Sequence, residues 1–229
     1  MRPLTRRTFV ATTLGAVLAG LSGLAGCGGP SSSAGSSDSS GASGTSTASS
    51  AGTGVVTTAS GPYSSGTHHA TIEVEGFGTI RLELDADVAP VTVANFAKLA
   101  GEGFYNGLTF HRIIAGFMVQ GGDPNGNGTG GSDENIVGEF DANGHPNSIS
   151  HVRGTISMAR AQANNSASSQ FFIMQADTPG LDGQYAAFGH VTEGIEVVDA
   201  MCEAARPTDN NGTIAAADQP RMTSVTIDD

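Results

Sequence analysis

A short apolar stretch, residues 110–123, constrains the fold more than any other part of the chain. Phe110–Ile114 and Phe117–Gln120 consist mainly of aromatic, aliphatic and β-branched residues, and Ala115-Gly116 separates them. Segments of this kind between breakers predict two short β-strands, with a further Gly-Gly pair closing the second. Arg112 lies inside the first strand, although arginine usually occupies solvated positions.

The faces of these two strands mix polar and apolar side chains. Because side chains alternate along a strand, Arg112 is expected to share its face with Phe110 and Ile114, and Gln120 with Met118. A solvated arginine on an exposed face is the simplest alternative. The mixture favours a pocket instead, in which apolar walls hold a ligand and a few polar groups orient it.

The chain after residue 67 has the pattern of short strands with two helices. Apolar residues alternate on both sides of Gly76-Phe77-Gly78, which predicts a β-hairpin with one buried face. Helical patterns begin at Pro90 and run from Gly194 to Ala204. Four more strands are predicted, at Thr155–Ala159, Gln170–Met174, Ala186–Val191 and Met222–Ile227. Many short antiparallel strands with only two helices indicate a closed barrel.

Composition excludes two classes of function. The 229 residues include 10 Lys and Arg against 22 Asp and Glu, so the net charge is −12. Such an acidic surface argues against binding nucleic acid or docking on anionic lipid headgroups, because both depend on basic side chains. With Cys27 and Cys202 as its two cysteines, the chain is expected to form no internal disulfide, and Cys202 to be a small buried residue in a helix.

Residues 1–26 have the layout of a secretory signal, with a basic start and an apolar run from Phe9 to Leu24. The pair Arg6-Arg7 resembles a twin-arginine export signal, although ordinary signals contain such pairs too. Leu24-Ala25-Gly26-Cys27 resembles a bacterial lipobox, in which the cysteine is lipidated and becomes the mature N-terminus. The alternative, a transmembrane helix, needs about 20 apolar residues and the run is shorter.

The remaining chain divides into a tether and one domain. Residues 27–67 are almost entirely Ser, Gly, Ala and Thr, so we expect a disordered tether that cannot bury a core. Residues 68–229 are predicted to form a single compact domain. We therefore expect an extracytoplasmic protein, held by a lipid anchor at Cys27 on the bacterial cell membrane.

Several motifs in this order resemble the signature segments of the cyclophilins, which are peptidyl-prolyl cis-trans isomerases. They are residues 110–123, Gly154–Ala161, Ser169–Ile173, Leu181–Gly183 and Ala187–Gly189. The resemblance covers His69 to Ile227, and linked motifs are far more specific than a single one. It implies a mainly β fold, a closed eight-stranded antiparallel barrel with a helix over each end. It also implies a monomer that needs no cofactor or metal and acts on proline-containing peptides and on unfolded or folding proteins.

The same resemblance assigns roles to individual residues. Arg112 is expected to be the catalytic group, beside a set that binds the substrate: Phe117, Met118, Gln120, Ala159, Arg160, Gln170, Phe172, Leu181 and Tyr185. Three positions depart from many eukaryotic members, which have tryptophan at Gly180, histidine at Tyr185 and asparagine at Arg160. The missing tryptophan predicts weak inhibition by cyclosporin.

Other interpretations of the sequence stay open. Asp123–Glu134 fits a twelve-position calcium loop by its oxygen-bearing residues and glycine, but it does not follow a helix. The pair His68-His69, His145 and His151 have no ligand partners at zinc spacing and are expected to be solvated. A peptide-binding module without catalysis is the competing function, and a barrel that serves only as a spacer is a third.

Overall fold

The computed structural model describes residues 54–229, so the predicted signal, Cys27 and most of the predicted tether lie outside the described residues. This part contains ten strands and two α-helices. The strands are β1 Val55–Val56, β2 Thr67–Val74, β3 Gly78–Asp85, β4 Thr109–Ile114, β5 Met118–Asp123, β6 Asn135–Ile136, β7 Thr155–Met158, β8 Phe171–Met174, β9 Ala187–Glu193 and β10 Met222–Ile227. The helices are α1 Pro90–Gly101 and α2 Ile195–Ala204.

Both helices occur where the sequence predicts them. Pro90 occupies the first turn of α1, where its missing N–H costs nothing, and the helix packs Phe96 into the core. The carboxylate of Glu139 accepts the next two N–H groups, from Val91 at 3.0 Å and Thr92 at 2.8 Å. Cys202 on α2 is buried as predicted, and burial raises the pKa of its thiol to about 11. Within residues 54–229, no helix is long and apolar enough to cross a membrane.

Eight of the strands form one antiparallel sheet in the order β10-β2-β3-β9-β7-β8-β5-β4. The predicted β2–β3 hairpin is confirmed, with Ile72 opposite Ile80. The two outer strands meet only near their first residues, at a bridge between Thr109 and Arg221. The mainly β fold with two helices is therefore confirmed. The sheet is a curved half-barrel, and the predicted closure into a full barrel is not confirmed.

The main core is an aromatic cluster centred on Phe96. Its ring centroid lies 5.2 Å from that of Tyr105, 5.7 Å from Phe171 and 5.4 Å from Phe188. Phe171 belongs to β8, and the next residue, Phe172, belongs to a separate small cluster with Met118 and Met174. The predicted division of β8 into two faces, with Phe171 on one and Phe172 on the other, is thus confirmed.

The two glycines predicted to end the second strand of the motif lie inside β5, which continues to Asp123. Gly122 has a φ of 81°, in the region that favours glycine. A β-carbon there would lie 2.5 Å from the carbonyl oxygen of Ser169. The glycine is therefore required by the close approach of a neighbouring backbone, and it does not terminate the strand.

The domain begins earlier than the predicted boundary at residue 68. Val55 and Val56 form β1, which pairs in parallel with β6, and the carbonyl of Val56 accepts the N–H of Val137 at 2.9 Å. Tyr63 packs against the main core. Their Ser- and Gly-rich composition predicts that residues 55–67 belong to the tether. In the structure a few apolar side chains and one short strand pairing attach them to the domain.

Candidate active site

A β-bulge in β4 decides which side chains face the cleft. Phe110 pairs with Gly121 and Arg112 pairs with Gln120, so His111 is an extra residue that reverses the alternation. Phe110 consequently enters the main core, and Arg112 lies on the opposite face. The prediction that Phe110 shares a face with Arg112 is wrong for this reason.

The structure brings most of the predicted site residues around one pocket, which we call the apolar pocket. Its volume is about 200 Å³, and its walls include the buried side chains of Met118 and Phe172. The residues that line it are Arg112, Phe117, Met118, Gln120, Ala159, Arg160, Phe172, Leu181 and Tyr185. Gln170 is the predicted residue that does not line it.

A second cavity of about 320 Å³, the polar pocket, adjoins the first. Gln120, Ala159 and Arg160 line both pockets, and Gln170 lines this one. The other lining residues are Gly128, Thr129, Gly130, Gly131, Ser132, Asn135, Ala161, Ser166 and Ser168. The two pockets together form one cleft, along which Gln120, Ala159 and Arg160 are shared.

Arg112 is held at two of its three nitrogens. Its Nε donates to the carbonyl of Asn211 at 2.7 Å, and its Nη1 donates to Oε1 of Gln120 at 3.1 Å. Its Nη2 has no hydrogen-bond partner among residues 54–229. Burial lowers the pKa of the guanidinium, while Tyr185 and Asp209 raise it in part, and an arginine so far above neutrality stays charged. A fixed cation with free donors therefore borders the apolar pocket.

A chain of amide groups fixes the position of Arg112. Gln120 accepts from Arg112 and donates through Nε2 to Oε1 of Gln170 at 2.9 Å. Gln170 in turn donates to the carbonyl of Gly130 at 2.7 Å. In both glutamines the amide oxygen faces toward Arg112 and the amide nitrogen faces away from it. This row of amides therefore orients Arg112 and leaves its remaining donors free.

Backbone groups at the end of β7 also face the cleft. The N–H of Ala159 is used internally, since it donates to the carbonyl of Gln170 at 2.9 Å. Neither the N–H nor the carbonyl of the next residue, Arg160, has a partner in the described part of the chain, and these two groups share one edge of an extended backbone. One acceptor and one donor are thus available to an extended peptide, as in strand addition.

An aromatic stack supports the floor of the apolar pocket. The ring of Tyr185 meets Phe172 edge-on at 5.8 Å, and His151 stacks behind Phe172 at 5.9 Å. His151 is buried, bonded to Asp182 at 2.9 Å and to Ser157 at 3.0 Å. The prediction that His151 is solvated is therefore wrong. Asp182 lies 31 residues further along the chain, and the nearer Ser157 belongs to no recognisable motif with the histidine, so the sequence does not reveal either contact.

Arg160 lies on the ridge between the two pockets. Its guanidinium carbon is 5.0 Å from the ring centroid of Phe140 and 4.9 Å from that of Tyr185. Its Nε donates to the carbonyl of Gln184 at 3.0 Å, and Nη1 donates to the carbonyls of Ala161 and Gln162. The side chain is therefore fixed while its charge has no carboxylate partner among the described residues.

The candidate calcium loop uses its first carboxylate for another purpose. Both oxygens of Asp123 accept backbone N–H groups of the loop, from Asn125 at 2.8 Å and Asn127 at 3.0 Å. Burial alone would raise the pKa of Asp123, but these bonds lower it below its usual value. Residues 54–229 contain no cluster of three potential metal-ligating acidic, His or Cys side chains.

Comparison with known proteins agrees with this geometry. Residues 69–227 match the family of cyclophilin type peptidyl-prolyl cis-trans isomerases. A peptidyl-prolyl cis-trans isomerase of Helicobacter pylori is 50% identical over 137 residues, which cover 59% of this chain and 80% of the relative. Peptidyl-prolyl cis-trans isomerase B of Bacillus subtilis is 48% identical over 128 residues, or 56% of this chain and 86% of the relative.

Solved structures agree as well. A cyclophilin type peptidyl-prolyl cis-trans isomerase of Cryptosporidium parvum has a TM-score of 0.63 and 29% identity, covering 72% of this chain and 99% of its own. The same protein in the presence of the dipeptide Ala-Pro gives a TM-score of 0.62 and 30% identity, covering 70% and 99%. The chain therefore belongs to the cyclophilin type peptidyl-prolyl cis-trans isomerases.

Proposed function

We propose that this isomerase catalyses rotation about X-Pro bonds of exported proteins outside the cytoplasm, with Arg112 as the catalytic residue. The observation that carries the assignment is the free Nη2 of a fixed Arg112 beside the apolar pocket. The proline ring occupies this pocket, between Phe117, Met118, Phe172 and Leu181. The Ala-Pro dipeptide in the structure of the Cryptosporidium parvum relative supports a proline-containing substrate.

The chemistry requires a group that recognises a twisted peptide bond. Rotation faces a barrier of about 18 to 20 kcal/mol, because the nitrogen lone pair is delocalised into the carbonyl. X-Pro bonds populate both isomers, yet they exchange over about tens to hundreds of seconds. Midway through rotation the prolyl nitrogen becomes pyramidal and its lone pair is free to accept a hydrogen bond. A donor placed at that nitrogen stabilises the twisted state over both planar ones, which is the condition for catalysis.

Arg112 meets this requirement through position and charge. Its guanidinium carries several donors in a fixed plane, and two of its nitrogens are already oriented by Asn211 and Gln120. A proline ring that fills the apolar pocket displaces water and so strengthens the remaining hydrogen bond. A preorganised donor of this kind contributes about 3 to 4 kcal/mol to transition-state stabilisation. No proton is transferred, so the neighbouring His111 has no role as a base.

We expect Arg112→Ala to lower kcat/KM by about a hundredfold or more, as for loss of one transition-state donor. The measurement is NMR exchange between cis and trans forms of a short Ala-Pro peptide, which needs no coupled protease. Arg112→Lys is the matched control, because it keeps the charge but lacks the planar donors, and it should recover only part of the rate. Unchanged exchange in a folded Arg112→Ala variant would contradict the assignment. If the wild type binds the peptide without accelerating exchange, the peptide-binding module becomes the better proposal.

The location outside the cytoplasm rests on the sequence of the first 27 residues. The basic start, the apolar run and the lipobox ending in Cys27 support export and lipidation. In a bacterial host, the full chain should fractionate with membranes and incorporate labelled fatty acid, and Cys27→Ser should lose both properties. Fatty-acid incorporation that persists in Cys27→Ser would refute the anchor, and a wild-type chain recovered only from cytosol would refute the location.

A further inference from the structure

The charges along the cleft differ in sign from those of the molecule as a whole. The full chain has a net charge of −12. Among residues 54–229, the only ionised side chains that line the two pockets at neutral pH are Arg112 and Arg160, and no Asp or Glu of this part lines either pocket. The cleft is thus a positively charged surface on an acidic protein, and its field attracts anionic groups.

The two arginines of the cleft also differ from most other basic residues in their pairing. Four basic side chains each form an ion pair with a carboxylate: Arg81 with Glu193, Lys98 with Glu134, Arg153 with Asp199 and Arg221 with Glu75. Arg112 and Arg160 have no such partner among residues 54–229. Neither charge is therefore paired with a carboxylate within the described structure, although Asp209 interacts with Arg112 from beyond ion-pair distance.

Arg160 is already ordered, so binding an anion would cost it little side-chain entropy. Phe140 and Tyr185 hold its guanidinium between their rings, and carbonyl oxygens fix Nε and Nη1. Its Nη2 has no partner within the described residues. Neither aromatic rings nor neutral carbonyls cancel the charge, so a carboxylate that reaches Nη2 meets a preorganised and uncompensated cation.

The position of Arg160 relates this cation to the proline. It borders the apolar pocket, where the proline ring is placed, and also the polar pocket beside it. An extended peptide advances about 3.3 Å per residue, so side chains close to the proline in sequence reach the ridge. We propose that Arg160 is a specificity-determining residue, which selects substrates with an acidic side chain within two residues of the proline. This inference rests on the proposed function of the cleft.

The test compares peptides that differ only in charge. In a short Ala-Pro peptide, Glu and its neutral counterpart Gln are placed in turn at each position within two residues of the proline. Exchange spectra give kcat/KM, and titration of the same samples gives the affinity. We expect the Glu peptide to be favoured by about two- to fivefold at one or more positions, as for a partly exposed ion pair, and the preference to shrink at high salt.

Three variants test whether the preference for Glu peptides depends on Arg160. Arg160→Gln should abolish it, and Arg160→Lys should keep part of it. Arg206→Gln is the matched control, because Arg206 also donates to carbonyls, lines neither pocket and gives the same change in net charge. The ratio of Glu to Gln peptides is measured within each variant, so partial loss of folded protein does not affect it.

Two results would overturn the inference. One is equal kcat/KM and affinity for Glu and Gln peptides at every position in the wild type. The other is a preference that survives in Arg160→Gln. Equal turnover of all peptides would leave the isomerase assignment intact. Binding without turnover would count against that assignment, but the measured affinities would still show whether Glu peptides bind more tightly than Gln peptides.

Discussion

The two faces of β5 and β8 use the same backbone for different purposes. On one face Val119, Phe171 and Ile173 lie in the main core, fully buried. On the other face Met118 and Phe172 line the apolar pocket. The core face needs only shape and apolar area, whereas the cleft face also has to hold Arg112 with free donors. Substitutions at neighbouring residues of one strand should therefore differ in their main effect, which is lower stability on the core face and lower activity on the cleft face.

The largest effect expected on stability comes from the core face. Phe171 contacts Phe96, Tyr105 and Phe110 through edge-to-face packing, with ring centroids 5.6 to 6.1 Å apart for the last two. Phe171→Ala should lower the free energy of unfolding by about 3 to 5 kcal/mol, because it removes buried contacts and leaves a cavity. Urea denaturation measures the loss. The kcat/KM per folded molecule should change little.

Phe172→Ala is the matched variant on the cleft face. It removes the same number of atoms, but from the wall of the apolar pocket. It should lower kcat/KM per folded molecule by about tenfold or more, since a lost aromatic contact is worth about 1.5 to 3 kcal/mol. If Phe171→Ala reduces activity as much as Phe172→Ala once both are corrected for folding, the two faces are not separate and the comparison fails.

The sequence predicts the cleft well because its residues belong to short, local motifs. The alternation in β8 separates Phe172 from Phe171, and the structure confirms it. The same alternation fails in β4, where Phe110 lies on the core side. A bulge depends on how a strand pairs with its neighbour, and the β4 sequence alone contains no signal for the extra residue.

The contacts that the sequence does not predict join distant parts of the chain. His151 bonds to Asp182, and β1 pairs with β6 about eighty residues later, Val55 opposite Asn135. Solvated histidines and Ser-rich tethers are reasonable expectations for isolated segments. Tertiary contacts override them, because burial is decided by what packs against a segment and not by its own composition.

A smaller effect is expected on the pH dependence of stability, through two buried histidines. His111 and His151 are both buried, and burial lowers the pKa of each. The charge of Arg112 lowers the pKa of His111 further, while Asp123 raises it in part. On the cleft side, His151 has Asp182 as a hydrogen-bonded partner, which raises its pKa in part. His111 has no hydrogen-bond partner at either ring nitrogen in the described structure.

Because folding lowers these pKa values, the unfolded chain binds protons more readily than the folded one as the pH falls below about 6.5. The contribution of each histidine to stability is therefore complete above that pH and decreases as the pH falls toward the folded-state pKa. Urea denaturation at pH 7 and pH 5 should show this decrease in the wild type. In His111→Leu the decrease should be smaller, whereas in His145→Leu, at an exposed position, it should match the wild type. An equal decrease in wild type and His111→Leu would show that the buried imidazole beside Arg112 gains its proton without opposing folding.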